Sequence, residues 1–333
     1  MEPTLSPSWF AEQFNNDPGA LQWALPRAFG GEGLDPLALH LRYEQLARRS
    51  LESALLLTQR DSAVGIIDAS PNQPARARLL DEVRQGAAVT VGIAQLTTSH
   101  QRGKPALTAQ KTAHGWRIEG LIPWVTGAIA STYIIAGAAC EREQILFALP
   151  TALDGVTVKP PLPLATMAGT LTSAVQCVSA ELPADLLLLG PAENALSLRR
   201  KSVPLPQAFL ALGHCRGAVD LIAEHRSERA RTLRDRFSEQ IEALHARVLT
   251  ACGPGSDPAA IPRIRGKCNE LALRITHAAV ALYKGSSLLV SHPAQRLARE
   301  ALFLLVWSCP DPVIDCTVEL LSEPRSAHSA EHD

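Results

Sequence analysis

The chain has 333 residues, of which 46% are hydrophobic and 20% charged, and a formal net charge of -1. This length accommodates two or three domains around a sizeable core, and the near-zero charge supplies no basic field for nucleic acid or anionic lipid. The seven cysteines are scattered, with no CxxC pair; this argues against a metal site or a disulfide framework and for a reducing compartment. The first residues, MEPTLSPSWFAEQF, carry neither a basic nor an apolar leader segment, and no apolar run reaches the length of a membrane span. A cytoplasmic location is the resulting expectation.

In chain order, Trp9 to Leu25 reads as one or two short helices broken at Asp17-Pro18-Gly19. Gly30, Gly31 and Gly33 form a turn, after which Asp35 and Pro36 are placed to cap and open a helix. Leu37, Leu41, Leu46, Leu51 and Leu55 continue it at roughly helical spacing. Leu79 to Gln85 reads as another short helix. From Val91 to Gly137 the pattern becomes a run of short strands, punctuated by Gly115 and Gly120 and ending in the β-branched and aromatic stretch Ser131–Ala136. Further strands are expected at Gln144–Leu149, Val156–Val158 and Ser173–Leu182, with prolines between them.

Beyond Pro206 the period is helical again. Apolar stripes run through Leu210, Ala211, Ala218 and Leu221, through Ile241, Leu244 and Val248, through Leu271, Ile275 and Leu282, and from Pro293 to Trp307. Four such amphipathic segments joined at Gly/Pro breaks imply a helical bundle. Asp257 is placed to cap one of its helices, and Val313 to Leu321 reads as a short last one. The polar end, 324–333, is expected to be disordered.

Several of these stretches carry a further pattern. Pro26, Phe29, Gly30, Gly31 and Gly33 precede Glu44, Leu46 and Ala47; Leu96-Thr97-Thr98 precedes Gly115-Trp116, Gly120, Trp124-Val125-Thr126 and Ala130-Ser131. LATMAGTLTSAVQCVSAELPADLLL follows, then Arg234-Asp235-Arg236-Phe237 with Ile241, then His292 to Ala301. Types and order together resemble the acyl-CoA dehydrogenase superfamily over nearly the whole chain. The resemblance implies an α+β fold with an N-terminal helical domain over 1–90, a flavin-binding β-barrel domain over 91–198 and a C-terminal four-helix bundle over 199–323. It implies FAD and α,β-dehydrogenation of an acyl thioester, carried on CoA or on a carrier protein. In that reaction a carboxylate removes the α-proton and the flavin accepts the β-hydride.

By the same resemblance Leu96, Thr97, Trp124 and Thr126 contact the flavin. Arg234 and Phe237 reach the FAD of a neighbouring subunit in a homodimer or homotetramer, and an electron-transfer partner is expected. From the residues alone, Trp124 is equally a strand core residue, and the threonines are equally plain strand formers. Arg234 is equally one member of the solvated run Arg226, Arg229, Arg231, Arg234 and Arg236.

The family's catalytic glutamate falls on Ser308, and Pro206-Gln207, where some members place it, offers no carboxylate either. Asp311 is the nearest acid and the candidate base, its alternative being a helix start before Pro312. Thr98 replaces another family glutamate. Gln101-Arg102-Gly103-Lys104 and Lys284-Gly285-Ser286-Ser287-Leu288 depart from the family's glycine-rich turns. These departures imply a divergent member. The alternatives are a monooxygenase on the same fold using reduced flavin, and a degenerate binding or assembly subunit.

Overall fold

The structure, a computed structural model, describes residues 8–98, 105–199 and 202–323. Contacts along the chain gather it into two compact units: Met1–Asp35 with Glu52–Lys201, and Pro36–Leu51 with Ser202–Asp333.

The first unit begins with the short helix α1 (Ser8–Glu12), followed by single turns at Ala20–Gln22 and Arg27–Phe29. Pro36, as expected, opens the next helix, α2 (Pro36–Arg49), which belongs to the second unit. The first unit resumes with α3 (Leu51–Asp68) and α4 (Gln73–Arg84), the latter capped by the Asn72 side chain. Strands follow: β1 (Val89–Gly92), β2 (Leu107–Lys111), β3 (Gly115–Val125), β4 (Tyr133–Cys140), β5 (Glu143–Pro150), β6 (Val156–Pro161), β7 (Ser173–Pro183) and β8 (Leu187–Ala192). A short helix, α5 (Ala94–Thr98), separates β1 from β2.

These eight strands form one mixed sheet in the order β6-β7-β3-β2-β4-β5-β8, with β1 pairing parallel to the start of β4. β4 and β5 are buried almost continuously, Ile134–Ala138 against Gln144–Leu149. That is why their sequence is an unbroken apolar run rather than an alternation. β3, covered on one side only, alternates instead: Trp116, Ile118 and Ile122 point in while Arg117 and Glu119 point out. Ala63, Val64, Ile66 and Ile67 of α3, with Leu79 and Leu80 of α4, complete the same apolar core.

The expected β-barrel domain is, among the described residues, an open sheet in which β6 and β8 do not pair. Pro160 and Pro161 on β6 and Pro191 on β8 lack the N–H groups that a closing ladder needs, which suits both strands to edges.

The second unit holds α2 with α6 (Pro206–Glu224), α7 (Glu228–Cys252), α8 (Ile261–Tyr283), α9 (Pro293–Leu304) and α10 (Asp311–Ser322). The four expected stripes are therefore helices. α6 is buried on every side over 208–215, with Phe209, Leu210, Leu212 and Cys215 inside. Caps mark the starts: Ser227 accepts from Ala230 N–H at 3.2 Å before α7, and Asp257 accepts from Ala259 N–H at 2.9 Å in the turn leading to α8. Among the described residues no helix is long and apolar enough to cross a membrane.

Candidate functional site

In the first unit two of the sequence-predicted residues, Trp124 and Thr126, lie at the end of β3. Opposite β7, the register slips between Ile122 and Val125, so three steps on β3 face two on β7. Such a bulge turns the strand and re-aims its side chains. Trp124 is accordingly 55% exposed, its flat indole outward, while Val125 beside it is fully buried. Trp124 is thus not the strand core residue that hydrophobicity alone allows.

Thr126 follows, half-buried. Its carbonyl accepts from the Thr90 hydroxyl at 2.7 Å, and the next residue, Gly127, donates its N–H to Thr170 O at 2.9 Å. The Thr126 hydroxyl accepts from Thr172 at 3.4 Å. Thr172 lies 2.9 Å from the Thr170 hydroxyl, which donates to Met167 O at 2.7 Å. Thr170 and Thr172 were not singled out from the sequence, although they lie in the stretch MAGTLTS that carried part of the resemblance. Glu52 on α3 accepts the Gly169 N–H at 3.0 Å and clasps the same turn.

Leu96-Thr97-Thr98, expected as a strand end, is instead the helical turn α5. The Gln95 amide donates to Gly92 O at 2.8 Å and to Gly137 O at 2.7 Å, which curls the segment back on the sheet. Leu96 is buried in the apolar core beside Gly137. The side chains of Thr97 and Thr98, and all of Gln101 to Lys104, lie outside the described residues.

The remaining candidates are in the second unit. Arg234 is partly exposed and its guanidinium sits 2.7 Å from Asp235. Phe237, expected to reach a neighbouring subunit, is only 4% exposed, and the Arg274 guanidinium lies 5.9 Å from its ring centroid. Ser308 is exposed, with φ of 51°. Asp311 is exposed at the first position of α10, where a negative charge favours the helix N-terminus. Its surroundings are those of the helix-start alternative.

Two buried groups here were missed. His214 is fully buried; its Nε2 lies 2.9 Å from Leu297 O, a pure acceptor, so Nε2 carries the hydrogen and Nδ1 is bare. Burial pushes its pKa down to about 4. The facing Glu300, 3.6 Å away at Oε2, is buried too, and burial raises its pKa against the pull of Arg296. The other carboxylate oxygen, Oε1, accepts from the Arg296 guanidinium at 2.8 Å. Arg265, 2% exposed, faces no carboxylate among the described residues. It donates to Gln207 O at 3.2 Å and to Leu304 O at 3.3 Å, the latter at the carbonyl-rich end of α9.

No family model matches the chain. A curated relative, the probable acyl-CoA dehydrogenase FadE25 of Mycobacterium tuberculosis, is 20% identical over 304 residues, covering 83% of this chain and 78% of its own. Among solved structures, butyryl-CoA dehydrogenase from Megasphaera elsdenii aligns with a TM-score of 0.78 at 17% identity, covering 95% of this chain and 89% of its own. FkbI, described for biosynthesis of a methoxymalonyl extender unit, aligns with a TM-score of 0.78 at 14% identity, covering 96% and 94%. The fold is that of the acyl-CoA dehydrogenases, and these likenesses support the chain's membership of that superfamily.

Proposed function

We propose that the chain is an FAD-dependent oxidoreductase that desaturates an acyl thioester. The observation that carries this reading is the pairing of an exposed indole, Trp124, with the Thr126 hydroxyl two residues on. A flat apolar face beside a hydroxyl donor matches the ring system of a flavin, which is itself flat and has polar atoms along one edge. The donor set thus fits the isoalloxazine. Arg234 and Phe237 give the adenosine-diphosphate half less: one is paired to Asp235 and the other is buried.

When bound, the flavin supplies the acceptor for a hydride equivalent. Trp124 would cover the ring and exclude water, and the Thr126 hydroxyl would donate a hydrogen bond to it. Removal of the α-proton falls to a carboxylate that the chain positions poorly, because Asp311 faces solvent. Relatives named for acyl-CoA dehydrogenation support the substrate class.

A second reading rests on that same point. With Ser308 at the glutamate's place and Asp311 exposed, a monooxygenase using reduced flavin from a partner reductase needs no such base.

The visible absorption spectrum of the purified protein, incubated with FAD and desalted, tests the cofactor. Flavin bands that co-elute with protein are expected; a colourless protein ends both readings. Anaerobic titration with acyl-CoA thioesters then separates them. Bleaching of the flavin band identifies the dehydrogenase, whereas oxygen uptake with a hydroxylated product, after supply of free reduced flavin, identifies the monooxygenase.

A further inference from the structure

The three hydroxyls of Thr126, Thr170 and Thr172 own one hydrogen each, and the geometry directs two of them. The Thr170 hydrogen goes to Met167 O, because a carbonyl can only accept. Thr170 is then an acceptor toward Thr172, 2.9 Å away, so the Thr172 hydrogen is shared between Thr170 and Thr126. Thr126 is the acceptor in its contact with Thr172. Among the described residues nothing accepts the hydrogen of Thr126.

The turn that supplies these contacts is held firmly. Met167 and Leu171 both adopt positive φ, at 59° and 48°, a conformation that side-chain-bearing residues occupy only when their surroundings impose it. The Glu52 carboxylate accepts Gly169 N–H, and a Cβ at residue 169 would collide with that carboxylate. Thr170 O receives Gly127 N–H at 2.9 Å, which pins the backbone directly after Thr126. Thr170 is fully buried and Thr172 nearly so, whereas Thr126 is half-exposed. The chain thus runs from a buried carbonyl to the hydroxyl of a partly exposed residue, with one unspent hydrogen at its outer end.

We propose that Thr172, anchored by Thr170, is a positioning residue that orients the Thr126 hydroxyl as an outward hydrogen-bond donor to the flavin. The inference rests on the flavin reading given above. It adds that the polarity of Thr126 is set by the turn between β6 and β7 and not by Thr126 alone.

The test measures FAD affinity by fluorescence quenching and records the bound flavin spectrum for wild type, Thr126→Val, Thr172→Val, the double variant and Thr172→Ser. Valine keeps the β-branched shape, and thermal melts of the apoproteins check the fold. Thr126→Val is expected to weaken FAD binding about tenfold, as for loss of one hydrogen bond to a buried ligand. Thr172→Val is expected to weaken it several-fold and to shift the flavin band in the same direction. The double variant should bind no more weakly than Thr126→Val, because Thr172 acts through Thr126, and Thr172→Ser should restore wild-type values. A Thr172→Val protein with wild-type affinity and spectrum overturns the proposal, as does a double variant whose losses multiply. Wild-type protein that binds no FAD overturns the flavin reading and the proposal together; flavin binding with an indifferent Thr172 overturns the proposal alone.

Discussion

At the scale of single residues, the second unit buries groups that most cores exclude. His214 is held neutral, with a pKa near 4 against an ordinary 6.5. As pH falls, the unfolded chain takes up this proton first, so stability is complete above about 6.5 and is lost as pH drops toward 4. The gap corresponds to about 3 kcal/mol. Glu300 acts with the opposite sign: its raised pKa means that the unfolded chain releases its proton first as pH rises, which offsets part of the effect above the ordinary carboxylate range. Urea unfolding at pH 7, 6 and 5 should therefore show a declining midpoint for wild type. The decline should be shallower in His214→Gln, whose amide still reaches Leu297 O. Equal slopes would mean that the histidine titrates as if exposed. Arg265 makes a complementary case. Its guanidinium donates to the carbonyl oxygens of Gln207 and Leu304, so Arg265→Ala strands those acceptors as well as opening space. A loss of about 3 kcal/mol or more is expected, read from the same unfolding curves.

At the scale of elements, helix contact and strand irregularity set the positions that matter. α2 lies on α6 where Gly213 and Gly217 face the carbonyl oxygens of Glu44 and Arg48. A Cβ at either glycine would fall within the radius of a backbone oxygen that cannot swing aside. Gly213→Ala and Gly217→Ala should each destabilise the protein by about 2–3 kcal/mol. Gly285→Ala, with open space around its Cβ position, should cost far less in the same denaturation series. The spacing of α2's leucines announced a helix, and Pro36 announced its start, but neither says which partner the helix chooses. Likewise the alternation of β3 was legible over Trp116 to Glu119, whereas its continuation past Gly120 as one strand and the bulge that turns Trp124 outward were not. The bulge depends on register with β7, whose paired residues lie about fifty positions further on.

For the molecule as a whole, bound FAD should raise stability by mass action. At a free concentration one hundredfold above its dissociation constant, it should add about 2.7 kcal/mol. The melting temperature should therefore climb with FAD concentration and stay unchanged with adenosine monophosphate, which lacks the ring that Trp124 and Thr126 fit. A melt indifferent to FAD would contradict a ring site on the first unit.

The amino-acid sequence by itself determined the order of helices, strands and helices, most element starts, and the likeness to acyl-CoA dehydrogenases. Each of these depends on periodicity and caps that act within about four residues, and on motif order, which needs no coordinates. It also shows a serine at position 308, where the resemblance implies a glutamate. Tertiary structure alone decided that the sheet stays open, that Leu96-Thr97-Thr98 curls into α5, and that Phe237 is drawn inside its bundle. Tertiary structure also joined Glu52 to Gly169, 117 positions apart, and Thr172 to Thr126, 46 apart. Contacts across such separations leave no period in the sequence. They form because buried polar groups must find partners wherever the folded chain brings them.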